Sequence, residues 1–577
     1  MKPDLFEAPD YYNLDELLTE EHKLVRDAAR DWVKRDISPI IEEYAQKAEF
    51  PKQIINGLAE IGAFGPYIPM EYGGAGLDQI SYGLIMQEIE RGDSGVRSTA
   101  SVQSSLVMYP IWKYGNEDQR QKYLPKLASG EWIGSFGLTE PDHGSNPGEM
   151  TTNFKDMGDH YLLNGAKMWI SNSPFCNIAV VWAKDESGRI HGLIVERGME
   201  GFSTPETHNK WSLRASATGE LIFDNVKVPK ENLLNKFGDI NEKGKYTSPI
   251  KNPSRRFFTM LGTLVGGRVC VPRAGLSAAK TGLNIAIKHC LQRRQFETKP
   301  GEQEMLLLDY PTHQRRLMPL LAKSYVLSFG LDYLTDRFVQ RSEKDIREIE
   351  SLAAGMKAYA TWFTTAALQE ARESCGGKGY LSENRLGQLK ADTEIFTTFE
   401  GDNTVLMLLV SKGLLSNFSK EFHDDGFMAV LRMLGNQFST LVMEQNPFTK
   451  RKSESAYLLS GHFQMATFRY REQKLLYSVS QRMRGLIKQK MSSSDAFLRC
   501  QTHLLQLAEA FIERTFLEQY IAQTKLVSDK PTRAALKEMG QLYALHTIES
   551  HNDFYLESEY MSPTKTKAIR RLVDKLC

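Results

Sequence analysis

Glu400 lies between Phe399 and Gly401 in the stretch "TEIFTTFEGDNTVLM", Thr393 to Met407. The carboxylate follows a β-favouring run and precedes an apolar run of helical character. In that setting it suits a general base held at the mouth of a helix beside an aromatic ring. The other reading is a solvated loop acid, and the residue types alone leave both open. Other chemistries find less support. Cys176, Cys270, Cys290, Cys375, Cys500 and Cys577 form no C-x-x-C pair and are scattered along the chain. They read as free thiols in a reducing compartment, not as a disulfide framework or a zinc site. No G-x-G-x-x-G follows an expected strand, so a Rossmann nucleotide site is not supported.

The elements that must hold such a base are spread over 577 residues, which implies two to four packed units. Composition is that of a soluble globular protein. Lys+Arg is 72 and Asp+Glu is 71, so no field of one sign covers the molecule. That argues against a nucleic-acid partner. No apolar run approaches a membrane span. The start, "MKPDLFEAPDYYNLDELL", is acidic and has no apolar core of a signal peptide, and the end, "LVDKLC", is not an S-K-L address. A cytosolic location is the expectation.

Periodicity divides the chain. Three- and four-residue apolar steps from about Leu17 to Ile133 predict helices. One of them, "NEDQRQKYLPKLASG", ends at Gly130. Short β-type runs separated by turn residues, among them "HYLLNGAKMWIS", "NIAVVWAK", "HGLIVER" and "GELIFDNVKVP", occupy about Gly134 to Leu234. The helical period returns from about Arg255. A polar interruption, "SKEFHDDG" (Ser419 to Gly426), marks a candidate boundary before a further helical segment. The expected fold class is therefore α+β, mainly α. It has a helical domain over 1–133, a β domain over 134–240, a helical bundle with Glu400 over 241–420, and an additional helical domain over 421–577.

This outline and its motifs resemble the acyl-CoA dehydrogenase and acyl-CoA oxidase superfamily. The first half is similar to glutaryl-CoA dehydrogenases in "RGDSGVRSTASVQSSLVMYPIWKYGNEDQRQKYLPKLASGE", "GSFGLTEPDHGSNPG", "LNGAKMWISNSPF" and "KWSLRASATGELIFDNVKVPKENLL". The second half resembles acyl-CoA oxidases in "IKHCLQRRQFETKPGEQEMLLLDYPTHQRRLMPLLA", "CGGKGY", "TTFEGDNTVLML" and "LYALHTIESHNDFYL".

The resemblance implies FAD-dependent dehydrogenation of an acyl-CoA thioester. Glu400 matches the family's α-proton base, with Gly401 letting the backbone approach the thioester. Phe399 is expected to reduce solvation and raise the pKa of the base. The implied FAD contacts are Phe136, Leu138, Thr139, Gly144 and Ser145 in "FGLTEPDHGS", and Trp169, Ile170 and Ser171 in "WIS". Others are implied from a neighbouring subunit, Arg293 and Phe296 in "QRRQF" and Gln314 in "THQ", with Gly376 and Gly377 in "CGGKGY" close to the cofactor phosphates and Asp402 and Thr404 beside Glu400. Ser145 also matches a substrate contact, and Arg268 a position near the CoA part. Glu90, Arg97 and Ser98 match residues that glutaryl-CoA dehydrogenases place around the distal carboxylate of the substrate. Glutaryl-CoA, or another short or dicarboxylic acyl-CoA, is then the leading substrate, with decarboxylation of the product. Read without the resemblance, Trp169 is a core aromatic, Arg268 a paired structural charge, and Arg97 a salt-bridge partner of Glu90 or Asp93.

Phe399 stands where glutaryl-CoA dehydrogenases carry Tyr, and the second half follows the oxidases. The electron acceptor is accordingly an electron-transfer flavoprotein or O2, the latter giving hydrogen peroxide. A homodimer is expected, with a tetramer as the alternative. A non-catalytic helical scaffold on the same fold is the reading from another class.

Overall fold

A computed structural model describes residues 18–420 and 450–577, apart from 208, 242–244, 253–255, 257–258, 260–261 and 343–344. The acidic start and most of the boundary expected at Ser419–Gly426 lie outside the described residues. The architecture is helical, then β, then helical, as expected. Two compact units divide it. Among the described residues, one comprises 18–278 with 382–400; the other comprises 279–381 with 401–420 and 450–577.

In the first unit, helices Gln79–Gly92 and Ser94–Ser101 lead into helix Glu117–Ala128. The last of these starts on a capping box between Asn116 and Gln119. A seven-stranded sheet follows: β1 (Gly134–Gly137), β2 (Asn153–Asp156), β3 (His160–Ser171), β4 (Ile178–Lys184), β5 (Ile190–Glu196), β6 (Phe202–Ser203) and β7 (Thr218–Pro229). Its order is β1-β4-β2-β3-β7-β6, with β5 on β4. β4 shows why this sheet sits at the centre of the unit. Its alternate residues Ile178, Val180 and Trp182 pack with Phe136, Leu138 and the helical residues Met108, Ile111 and Leu124. Ala179, Val181 and Ala183 face the other way, onto Phe154, Leu163, Leu221 and Phe223. A strand buried on both faces needs a continuous apolar run, and "IAVVWA" supplies it. β3 and β7 pair antiparallel, with a register shift between Lys167 and Ile170.

The part of helix Thr263–Cys290 up to Ala278 and the short helix Leu386–Glu394 complete this unit. The β-favouring run before Glu400 forms no strand. Thr393 bonds its hydroxyl back to the Leu389 carbonyl, and Ile395–Thr397 make a 3-10 turn. Burial of Phe396 against Val271 and Ala274 overrides the local propensity.

The second unit is built from the long helices Pro311–Val339, Ile346–Ser374, Asn403–Lys420, Gly461–Lys488, Gln501–Thr524 and Lys530–Ser550. Ala354, Ala358, Leu406, Met407, Val410 and Ala508 form one core of this bundle. Gly355 lets Ile512 approach so closely that a Cβ there would lie 2.4 Å from its Cδ1. The buried Arg471 pairs with Glu513 and, at 3.0 Å, with Glu509 across two helices. Among the described residues no helix is long and apolar enough to cross a membrane, and all six cysteines are free.

Candidate active site

Glu400 ends the turn that follows helix Leu386–Glu394. Its backbone is left-handed (φ 58°), and Gly401 continues at φ 107°. A non-glycine residue in that region needs support from its surroundings. Arg268, on helix Thr263–Cys290, donates from Nε to the Glu400 carbonyl at 2.9 Å. Phe399 stacks on Phe396 with ring centroids 5.0 Å apart, and the aromatic pair packs on Val271 and Ala274 of that same helix.

Arg97 stands over these rings. Its guanidinium carbon is 4.9 Å from the centre of Phe396 and 5.9 Å from that of Phe399. The helix that carries it, Ser94–Ser101, begins at Asp93, whose carboxylate accepts from the amides of Gly95 and Val96 at 2.8 and 3.0 Å. Arg97 is only 3% exposed. Nε donates to Glu90 Oε2 at 2.7 Å and Nη1 to Ser101 Oγ at 3.1 Å. Nη2 is buried and has no hydrogen-bond partner among the described residues. A buried guanidinium N–H in that state suits an incoming acceptor. Burial pushes the Glu90 carboxyl up, against the pull of Arg97. Ser94 also donates to Glu90. Burial pushes the Cys270 thiol, on the same helix as Arg268, up to about 12. Ser98 Oγ is 3.5 Å from Ser171 Oγ at the end of β3.

Beside Ser171 the β3 backbone bulges. Trp169 takes φ 62° at the register shift and is 62% exposed, not part of the core. Ile170 returns to the interior. The Thr139 carbonyl accepts from the Met168 amide at 2.9 Å, so the loop after β1 lies along β3 at this bulge. Phe136 and Leu138 are buried beneath it, while Gly144 and Ser145 are exposed. A Cβ on Gly144 would meet nothing within 4 Å. An indole turned outward beside hydroxyls and an open glycine loop fits a flat aromatic cofactor.

Two residues that brace this loop escaped the sequence analysis. Lys167 is buried on the inward face of β3; its ammonium donates to Glu140 Oε1 at 2.8 Å and to the Leu138 carbonyl at 3.2 Å. Glu140 also accepts from the amides of Thr151 and Thr152. Burial opposes both charges. It brings Lys167 down to about 8, whereas for Glu140 the ammonium and the amides outweigh burial and hold the carboxyl at about 2. A lysine at an inward position of β3, paired with the glutamate of "TEP", was the available signal.

The second unit holds the other candidates. Phe296 is left-handed (φ 61°) and 70% exposed, on a hairpin of Arg294–Gln295 with Met305–Leu306. Gln314 lies in the first turn of Pro311–Val339. Gly376, at φ 56°, and Gly377 open a 3-10 turn, and neither would meet a neighbour through a Cβ. Burial holds His289 below the usual range, and Lys378, Arg293 and His313 press it further down. Asp402 and Thr404 have a local role: Asp402 Oδ1 accepts from the Thr404 amide at 2.9 Å and the Val405 amide at 3.2 Å, starting helix Asn403–Lys420. Lys357, fully buried and not singled out from sequence, donates to the Gly401 carbonyl at 2.8 Å and to Asn403 at 2.9 Å.

Four family models match the chain. Residues 19–131 match the acyl-CoA dehydrogenase N-terminal domain and 135–226 its middle domain. Residues 261–415 match the acyl-CoA oxidase C-alpha1 domain and 462–577 the acyl-CoA oxidase model. Acyl-coenzyme A oxidase 2, peroxisomal, of Arabidopsis thaliana is 34% identical over 528 residues, covering 86% of this chain and 76% of that protein. A glutaryl-CoA dehydrogenase from Mycobacterium smegmatis, solved in complex with FADH2, is 31% identical with a TM-score of 0.61, over 70% of this chain and 96% of that one. Acyl-CoA oxidase 3 from Yarrowia lipolytica shares the fold over 97% of this chain and 83% of that one, with a TM-score of 0.82 at 23% identity.

Proposed function

The chain belongs to the acyl-CoA dehydrogenase and acyl-CoA oxidase family, an FAD-dependent oxidoreductase family acting on acyl-CoA, and we propose that it dehydrogenates a short dicarboxylic acyl-CoA with Glu400 as the α-proton base. The observation that carries the substrate class is Arg97. It is a buried guanidinium whose Nη2 has no hydrogen-bond partner among the described residues, with its carbon 5.9 Å from the ring centre of Phe399, the residue before Glu400. A carboxylate at the far end of a short acyl chain would satisfy it bidentately with Ser98.

FAD, when bound, accepts the hydride lost from the β-carbon. The residues present fit it. Trp169 and Ser171 at the β3 bulge, with the Thr139 loop and the open Gly144–Ser145 backbone, suit the ring system, and Ile170 anchors the bulge. Arg293, Phe296 and Gln314 stand where the family's chains contact the FAD of a neighbouring subunit, and Gly376 and Gly377 offer unobstructed backbone to a cofactor phosphate. Glu400 takes the proton from the α-carbon, and its aromatic neighbours limit water around the carboxylate. With glutaryl-CoA the unsaturated product can then lose its γ-carboxylate as CO2, the electrons flowing into the thioester, and Glu400 can return the proton. Arg268 and Gly401 line the thioester end of the site in this reading, and Asp402 and Thr404 secure the helix that follows.

The second reading is an oxidase that passes the electrons to O2 and releases hydrogen peroxide; the two oxidase family models and the Arabidopsis relative favour it. An electron-transfer flavoprotein is the acceptor in the first reading. A homodimer in a reducing compartment such as the cytosol completes the proposal. One experiment separates the readings: anaerobic addition of a panel of acyl-CoAs to the holoenzyme, followed by air. Flavin bleaching by glutaryl-CoA supports the substrate class, and bleaching by long-chain thioesters alone refutes it. Stoichiometric peroxide on aeration assigns the oxidase reading.

A further inference from the structure

Helix Thr263–Cys290 presents Gly267, Val271 and Ala274 at i, i+4 and i+7, one stripe of a helical face. Phe396 packs on Val271 and Ala274, with Phe399 beside it, which fixes the register of the turn on the helix. One turn further toward the N-terminus, that register lays the Glu400 side chain over Gly267. A Cβ on Gly267 would lie 2.5 Å from Oε1, 2.6 Å from Cδ and 2.7 Å from Oε2 of Glu400. All three of these nearest atoms belong to the carboxylate, so the reacting group itself fills the space that Gly267 leaves. The next residue, Arg268, holds the carbonyl of the same left-handed Glu400 at 2.9 Å.

We propose that Gly267 and Arg268 are positioning residues for the base: Gly267 leaves the space the Glu400 carboxylate occupies, and Arg268 holds its backbone in the left-handed state that aims it there. The inference rests on the reading of Glu400 as base. A bulkier residue at 267 displaces the free end of a flexible side chain, so the helix and the turn survive and the carboxylate swings away. Loss of the Arg268 donor releases the carbonyl instead and lets the turn relax from its strained φ.

The test uses the FAD-loaded full chain. Gly267→Ala, Arg268→Met and Arg268→Lys are compared with wild type by crystal structure and by stopped-flow flavin reduction with α-protiated and α-dideuterated substrate. Gly267→Ala is expected to slow reduction about 100-fold while substrate Kd changes less than about threefold, and to enlarge the α-deuterium isotope effect. Its crystal structure is expected to show the Glu400 carboxylate displaced. Arg268→Met is expected to slow reduction comparably, and Arg268→Lys, which keeps a donor, to recover part of the rate. A purely structural role would move melting temperature and FAD content but not the isotope effect. Wild-type reduction rates in Gly267→Ala, or an unmoved carboxylate, would overturn the proposal. If no acyl-CoA reduces the wild-type flavin, the reading of Glu400 as base fails, and the crystal structures still decide whether Gly267 and Arg268 set its position.

Discussion

Arg97 and Glu90 form an ion pair 2.7 Å long with both side chains buried, and the guanidinium keeps an Nη2 that no described group accepts. Burying two charges is costly, and a pair serving stability alone would be replaceable by apolar residues. Retaining it over Phe396 and Phe399 fits a receiver for an anionic acyl end. Replacing both partners at once, Glu90→Gln with Arg97→Met, leaves no lone buried charge. The ratio of kcat/KM for glutaryl-CoA over butyryl-CoA is expected to fall at least about 100-fold in this double variant, with the fold intact. Steady-state kinetics with the two thioesters check it, and an unchanged ratio would remove the carboxylate role of Arg97.

Lys167 and Glu140 brace the loop after β1 from inside the sheet. Lys167→Met leaves Glu140 buried with its amide donors but without its cation. Breaking a buried pair in this way costs about 3–5 kcal/mol. Urea unfolding of the apoprotein is expected to show that loss, and FAD affinity is expected to fall with it because the Thr139 loop loosens.

Trp169 gives the opposite pattern. It is mostly exposed on a left-handed bulge, so Trp169→Ala removes little buried area. Apoprotein stability is expected to change by less than about 0.5 kcal/mol. FAD affinity, measured by fluorescence titration, is expected to weaken about tenfold through the lost aromatic contact. A large loss of apoprotein stability would return Trp169 to the core-aromatic reading.

Asp392 carries a pH dependence. Burial, then the neighbouring Asp93, pushes its carboxyl up to about 8, while Oδ1 accepts from the Leu213 amide at 2.7 Å. The folded chain therefore holds a proton that the unfolded chain releases near the ordinary value of about 3.9. The stability this proton confers is complete below that value and is lost progressively as pH rises toward 8. Asp392→Asn keeps the acceptor and cannot ionise. It is expected to raise the melting temperature near pH 7.5 and to flatten the decline between pH 4 and 8 measured by thermal scans. An unchanged pH profile would contradict the assignment.

Most of this architecture was legible in local pattern. The alternation in "HYLLNGAKMWIS" and the apolar "NIAVVWAK" expose their periods within single segments, and those segments are β3 and β4. The run before Glu400 misleads for the same reason. Thr, Ile and Phe favour strands locally, yet packing of Phe396 on a helix more than a hundred residues upstream decides for a helix and a 3-10 turn. Lys167, Lys357 and Gly267 escaped notice because their significance lies in long-range partners. Lys167 meets Glu140 across 27 residues, Lys357 meets Gly401 across 44, and Gly267 is meaningful only beside a carboxylate from a distant turn. Arg97, by contrast, was visible as a charge within helical reach of Glu90, and its buried unpaired N–H is what the fold adds.

In the proposed reaction the Glu400 carboxylate removes the α-proton. Glu400→Gln keeps the shape, the left-handed turn and the Arg268 contact while removing the base. Rapid-mixing reduction of the FAD-loaded variant by glutaryl-CoA under anaerobic conditions tests the claim most directly. Flavin reduction is expected to slow by about 10²–10⁴-fold with thioester binding retained. Reduction of the Glu400→Gln flavin at the wild-type rate would contradict it.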